Sequence, residues 1–309
     1  MITIEDIAYV RYAAPDLAAM ERFLLDFGMR TSARTDAAVY MRGFGSAHHV
    51  HVTELGDTAA LGFGLRARSA DDLAQLAAEL GVRIEESPEP GGGQRVRVTD
   101  PGGFIVDVIH GQQTLAPIAH REPMAANPIV NRRRHGQVIR LTPAPSHVVR
   151  LGHVFFQTTD FKASFDFYTR LLGFKVSDSY FAGVPENTIA AFLHCGLGDT
   201  WTDHHTIGFV AAQDGRNRFD HTAFEVIDLD DVVQGGAYLK SKAYRHSWGV
   251  GRHIQGSQIF DYWRDPFGNK IEHWTDGDLV NDSTPAGHAP ISANELAQWA
   301  PDFNPEFFE

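Results

Sequence analysis

The sequence repeats itself, and that repeat restricts the possible folds more than any other feature. Residues Ile7 to Asp16, IAYVRYAAPD, are matched 144 residues later by Leu151 to Asp160, LGHVFFQTTD. Each is a short apolar strand ending in a small or polar corner and an Asp. Each then enters a helix-period stretch, LAAMERFLLDFGMR or FKASFDFYTRLLGFK. In both, apolar residues recur three and four apart, and a Gly near the end is suited to a C-cap. Further on, VTDPGGFIVDVIH pairs with YWRDPFGNKIEHW. Both read Asp-Pro-x-Gly, a turn signal, and then an alternating strand. A looser match sets LGFGLRARSADDLAQLAAEL against DHTAFEVIDLDDVVQGGAYL, a strand and then a helix that opens on Asp.

Each half therefore holds two units of one strand, one helix and roughly three strands, at about 3–55, 60–112, 148–212 and 218–276. This predicts an α+β, duplicated two-domain fold of four βαβββ modules. The expected division is an N-terminal domain over 1–112, a linker over 113–147, a C-terminal domain over 148–276 and a tail over 277–309. The linker contains Pro117, Pro123, Pro128, Pro143 and Pro145. The tail begins with turn-rich NDSTPAGHAP and continues as ANELAQWAPDFNPEFFE, where one short helix is expected.

Matched positions differ between the halves in one informative way. His153, His221 and Glu272 stand where the first half has Tyr9, Gly62 and Asp107. Two of the three first-half residues cannot hold a metal. Any single strand histidine is usually a core residue, but three coordinating residue types at three repeat-defined strand positions form a set. Two imidazoles and one carboxylate leave the opposite coordination face open, as in the facial triad of non-haem iron(II) oxygenases. His153, Phe155 and Gln157 share a strand face, as do His221, Ala223 and Glu225. His273 points away from the face of Glu272 and is not counted as a ligand. Glu225 is expected to face solvent.

At these residues the chain resembles the type I extradiol ring-cleavage dioxygenases of the vicinal oxygen chelate (glyoxalase/extradiol dioxygenase) superfamily. Their signature runs here as GRHIQGSQIFDYWRDPFGNKIE, with Gly251, His253, Tyr262, Asp265, Pro266, Gly268 and Glu272 in place. Asp261 departs from the pattern, where an aliphatic residue is usual. FLHCG and DHHTIGF add to the likeness, which spans nearly the whole chain in architecture and is most specific between 151 and 274. The resemblance implies meta cleavage of a catechol-type aromatic diol by dioxygen, giving a muconic semialdehyde-type product in aromatic catabolism. It implies Fe(II) as the metal, with Mn(II) accepted by the same donor set, and dioxygen as co-substrate. Carried onto this chain, it makes His153, His221 and Glu272 the metal ligands, His205 the residue assisting proton transfer to bound oxygen, and His253 and Tyr262 the groups that help deprotonate the diol. His204, the neighbour of His205, is expected at the surface. His246, Trp248 and Phe192 are candidate pocket walls. A carboxylated substrate would need a cation, and Arg245, Arg252 and Lys270 are the nearest in sequence.

Three other readings compete. A glyoxalase-type isomerase would draw further Glu or Gln ligands from paired modules. A metal-free, ligand-sequestering relative would have no reason to keep three ligands. An aromatic α-keto acid dioxygenase would carry a longer C-terminal domain. Bulk properties narrow the partners further. A net charge of −12 disfavours nucleic acid and anionic membrane, and the one basic run, Arg132 to Arg134, is too short to reverse this. The single cysteine, Cys195, permits no intrachain disulfide and is expected in the core. MITIEDIAYV has no signal-peptide pattern, and no apolar run is long enough to span a membrane. A cytoplasmic homo-oligomer acting on a small molecule is expected.

Overall fold

The computed structural model describes residues 1–292, 296–303 and 307. In the first half, β1 (Ile4–Ala14) leads into α1 (Leu17–Phe27), β2 (Arg30–Arg34), β3 (Ala38–Arg42) and β4 (His51–Leu55). A second unit follows as β5 (Ala59–Ala67), α2 (Ala70–Leu80), β6 (Glu85–Glu86), β7 (Gln94–Thr99) and β8 (Ile105–His110). These strands form one sheet in the order β2-β3-β4-β1-β5-β8-β7-β6. No helix or strand intervenes before β9 (Val148–Thr158).

The second half runs β9, α3 (Phe161–Asp166) extended by a π-helical turn (Phe167–Leu171), β10 (Lys175–Phe181), β11 (Thr188–His194), β12 (Thr202–Asp203) and β13 (Ile207–Ala211). It continues as β14 (Arg218–Val226), α4 (Leu229–Ser241), β15 (His246–Arg252), β16 (Ile259–Arg264) and β17 (Lys270–Thr275). The order of its sheet is β15-β16-β17-β14-β9-β13-β11-β10, which is the first sheet again, with β19 (Gly287–Pro290) added at the edge beside β10. β18 (Leu279–Val280) pairs with β12 as a small separate ribbon.

Local chemistry explains why both halves start alike. Asp16 caps α1 by accepting from the Ala19 amide, and Asp160 caps α3 by accepting from Ala163. Gly28 ends α1 at φ 118°, a left-handed conformation costly for any residue with a Cβ. In the Asp-Pro-x-Gly turns, Asp265 Oδ1 accepts from the amides of Phe267 and Asn269, and Asp100 Oδ1 accepts from Phe104. The turns therefore set where β17 and β8 begin.

The halves share one core, in which Phe27, Phe63 and Phe104 of the first meet Phe156, Phe224 and Phe219 of the second. Polar ties cross the same boundary. Tyr168 donates to Asp100 at 2.6 Å, Tyr238 and Tyr244 donate to Asp26 at 2.9 Å, and His273 Nε2 donates to the Phe27 carbonyl at 2.7 Å. His273 thus faces the other half while Glu272 faces its own site. Cys195 is buried, and burial pushes its thiol pKa up. The stretch expected to hold a short tail helix falls in part outside the described residues. Its described part lies over the second sheet: Trp299 bridges Arg252, and Phe303 and Phe307 pack on Trp248.

Candidate metal centre

Strand register assembles the site. In the antiparallel pair of β9 and β14, His153 stands opposite Ala223. In the parallel pair of β14 and β17, Ala223 stands opposite Glu272. His153 and Glu272 therefore flank Ala223 in one row across three strands, and His221 lies two residues earlier on the same face. The small Ala223 side chain leaves the space between them open. One donor atom from each of His153, His221 and Glu272 lies within 4.8 Å of the others, and all three residues are buried. Glu272 Oε2 is 3.4 Å from His153 Nε2 and 3.5 Å from His221 Nε2. Neighbouring ligands about 2.1 Å from one octahedral ion sit roughly 3 Å apart, so small shifts suffice to close on one.

The donor set fits a cation. Glu272 is fully buried, and neither of its carboxylate oxygens has a hydrogen-bond partner. A carboxylate sealed in that way is costly without a counter-charge. Burial raises its pKa and pushes that of His153 down to about 3, so His153 is neutral and able to coordinate. His221 Nδ1 lies 2.7 Å from Asp220 Oδ1, to which Lys270 Nζ also donates at 3.0 Å. The carboxylate holds the Nδ1–H tautomer and leaves Nε2 free toward Glu272. Sequence reasoning missed Asp220. It also left the direction of Lys270 open; the side chain is buried on Asp220.

Around the triad, the structure gathers the other candidates. His205 is buried with its ring 4.1 Å from that of His153. Its Nδ1 contacts His204 Nδ1 at 3.1 Å, and His204 Nε2 contacts Asp178 Oδ2 at 2.6 Å. His204 is therefore not at the surface as expected: it is buried because it links His205 to a carboxylate. His253 Nε2 lies 3.0 Å from Tyr262 Oη, while its Nδ1 donates to the Leu296 carbonyl at 2.7 Å. Burial lowers the pKa values of His205 and His253; burial, together with Glu272 and Asp220, raises that of Tyr262.

These residues open on a cavity of about 330 Å³ that Phe192 and Trp248 also line, as expected. His246 does not line it. Its Nε2 meets Asp261 at 2.7 Å, and Asp261 also accepts from Trp263 Nε1. Asp261 alternates with Tyr262 along β16, so the unusual acid faces away from the site and binds its own partners. Glu225 is partly buried and paired with Arg150 at 2.6 Å rather than left to solvent.

The first half repeats the registers with different chemistry. Tyr9 stands opposite Gly64, and Gly64 opposite Asp107, as His153, Ala223 and Glu272 do. Gly64 has a reason: a Cβ there would come within 2.7 Å of the Tyr9 ring. Tyr9 donates to Asp107 at 2.9 Å, Arg97 grips Asp107 with two bonds of 2.6 and 2.8 Å, and Arg11 joins Asp107 to Glu89. A guanidinium supplies the positive charge, and the ring of Tyr9 fills the room. His48 and His49, with Nδ1 atoms 3.2 Å apart, mirror His204 and His205. That correspondence is readable in AHHVHV against DHHTIG.

The Glyoxalase/Bleomycin resistance protein/Dioxygenase superfamily profile matches residues 150–273. Metapyrocatechase 2 of Cupriavidus necator is 30% identical over 311 residues, covering 99% of this chain and 91% of the relative. Biphenyl-2,3-diol 1,2-dioxygenase of Paraburkholderia xenovorans is 27% identical, covering 88% of each. Among solved structures, homoprotocatechuate 2,3-dioxygenase from Brevibacterium fuscum superposes with a TM-score of 0.80 at 23% identity, over 99% of this chain and 92% of that one. A Mn(II)-bound glyoxalase from Novosphingobium aromaticivorans gives 0.79 at 23%, over 100% and 95%. At such identities the structural likeness is one of fold.

Proposed function

The chain belongs to the extradiol ring-cleavage dioxygenases of the vicinal oxygen chelate superfamily, and from that premise we propose that His153, His221 and Glu272 hold the non-haem Fe(II) at which it opens a catechol-type diol with dioxygen. The product is a muconic semialdehyde-type compound. The observation that carries the ligand assignment is the fully buried carboxylate of Glu272, without a hydrogen bond, between two imidazoles that line a cavity large enough for a catechol ring. Mn(II) suits the same donors.

When bound, the metal supplies a template for diol and dioxygen and a path for electrons between them. The chain's own residues manage protons and orientation. His253 keeps its Nδ1 proton on the Leu296 carbonyl, so its Nε2 accepts from Tyr262. A substrate hydroxyl can then donate to Tyr262 Oη while the tyrosine proton passes to His253. When both rings of the His204–His205 pair are neutral, Asp178 accepts from His204 Nε2 and His204 Nδ1 accepts from His205 Nδ1–H. The second nitrogen of His205 is then left as a base toward the cavity.

Within the same proposal, residues 148–276 form the catalytic domain, 113–147 the linker, and 1–112 a supporting domain whose equivalent site is filled by Tyr9, Arg11 and Arg97. Tyr9→Phe is expected to leave the iron content intact. Iron loss in that variant would overturn the division. A cytoplasmic homo-oligomer with no nucleic-acid or membrane partner completes the proposal. The net charge of −12 supports the lack of a nucleic-acid partner, and no helix among the described residues is long and apolar enough to cross a membrane.

The test is oxygen uptake by anaerobically purified protein reconstituted with iron(II), against a catechol panel, while following the yellow ring-opened product. Uptake with product is expected. Bound iron with no uptake would sink ring cleavage and favour the isomerase alternative. Tight catechol binding that iron removal leaves unchanged would favour a sequestering protein.

A further inference from the structure

We propose that the preferred substrate is an uncharged catechol whose ring carries an apolar substituent, alkyl or aryl, rather than a carboxylate side chain. The proposal rests on the reading of this cavity as the diol site and specifies the rest of the molecule that enters it.

Size comes first. A cavity of about 150 Å³ is enough to enclose a benzene ring, and this one measures about 330 Å³. A catechol ring at the metal therefore leaves space for a substituent. The lining includes the polar side chains of Gln157, Gln255, Gln258 and Ser292, but Phe155, Tyr180, Phe192, Val210 and Ile291 give it a broad apolar wall. Phe155 and Phe192 stand 5.6 Å apart, and Tyr180 meets Phe192 edge-on at 6.2 Å, a surface suited to a hydrocarbon or an aromatic ring.

Charge comes second. No Lys or Arg lines the cavity among the described residues, and the ionised side chain that does is Asp220. The described tail residues that line the cavity, Ile291, Ser292, Leu296 and Phe307, carry no charge. The three cations nearest in sequence are absent from the walls, and two have visible commitments. Arg252 is held by Asp276 and the Ser257 carbonyl, and Lys270 by Asp220. Arg218, Arg264 and Lys270 line a separate cavity of about 110 Å³ that shares Gln157 and Asp220 with this one, and there Arg218 is bonded to Asp214. A carboxylate substituent in the larger cavity would lose water and gain no Lys or Arg from its walls, and the one acid that lines it, Asp220, is already paired with Lys270. An apolar group of the same length would lose nothing and bury its surface.

The experiment measures kcat/KM by oxygen uptake for the iron(II)-loaded protein with catechol, propylcatechols, a phenylcatechol and carboxylated catechols of matching length. Anaerobic calorimetric affinities are measured in parallel. Alkyl- and arylcatechols should exceed catechol by roughly 10-fold or more. The carboxylated compounds should fall about 100-fold or more below their alkyl counterparts. Val210→Lys, which places a cation on the wall, should narrow that second gap. Carboxylated catechols that match or exceed the alkyl compounds in both kcat/KM and affinity would overturn this proposal while leaving ring cleavage in place. If iron is bound and no catechol turns over, ring cleavage fails instead. The anaerobic affinities then decide the substituent alone, tighter binding of the carboxylated compounds overturning it.

Discussion

Asp220 offers the sharpest quantitative test of how the metal site is built. Its Oδ1 accepts from His221 Nδ1 at 2.7 Å and from Lys270 Nζ at 3.0 Å, in a place where Lys270 is only 3% exposed. Neither member of this ion pair has a polar counterpart in the first half, where the matched strand positions hold Leu61 and Ile105. Asp220→Ala removes a charge-assisted hydrogen bond worth about 1.5–3 kcal/mol. At about 1.4 kcal/mol per tenfold, that corresponds to a loss of iron(II) affinity of roughly 10- to 100-fold. Asp220→Asn keeps an acceptor for His221 Nδ1 and should recover most of this. The assay is a chelator-competition titration under anaerobic conditions, with urea unfolding of the metal-free variants as the control for stability. An Asp220→Ala protein that binds iron within about twofold of the parent would refute the reasoning that Asp220 orients His221. Equal losses in the Asn and Ala variants would show that charge, not orientation, is what Asp220 supplies.

Other expectations are as specific. Tyr262→Phe should retain iron and lower kcat by about 100-fold or more, with KM little changed, because Tyr262, hydrogen-bonded to His253, is the group proposed to take the diol proton; unchanged turnover in stopped-flow assays would remove it from the mechanism. His153→Ala and Glu272→Ala should each abolish iron binding, read by metal analysis, and full metal content in either would remove that residue as a ligand. Ending the chain after Pro290 deletes the Leu296 carbonyl on His253 and the Pro301 carbonyl on Trp248; KM for catechols should rise about 10-fold or more with iron retained, and an unchanged KM would show that the tail does not shape the cavity. Burial lowers His51 to about 3 and His273 to about 4, so both are neutral when folded. The unfolded chain binds those protons first, so their stabilisation is complete above about pH 6.5 and is lost as pH falls toward 4, at up to about 1.4 kcal/mol per pH unit for each group. Urea midpoints of the metal-free protein should show that slope between pH 6 and 4, and His51→Gln should flatten it by about one proton.

What could be read from the sequence follows from what a repeat contains. Strand positions matched at Tyr9 and His153, Gly62 and His221, and Asp107 and Glu272 because side-chain alternation and turn signals are local, and the two sheets carry those pairs in the same register. His204 and Lys270 were not legible in the same way. Their roles arise from contacts between strands, such as β10 with the loop before β13 for Asp178 and His204, and no local pattern reports those. Burial misled in one direction only: His204 and Glu225 were expected at the surface, and each instead found a charged partner that alternation alone does not reveal. The tail was equally opaque: its contacts with His253 and Trp248 are made in part by backbone carbonyls, which carry no residue identity.

The duplicated register also gives the protein a built-in reference. One half neutralises its buried acid with guanidinium groups of its own chain; in the proposed reading the other depends on an ion it must acquire. Probes placed in the two halves, on strands of the same register, therefore separate two kinds of damage. A treatment that loosens both is acting on the scaffold, and one that loosens the second half alone is acting on the ion. Damage to the scaffold and loss of the ion can be told apart within a single molecule, without a second protein as standard.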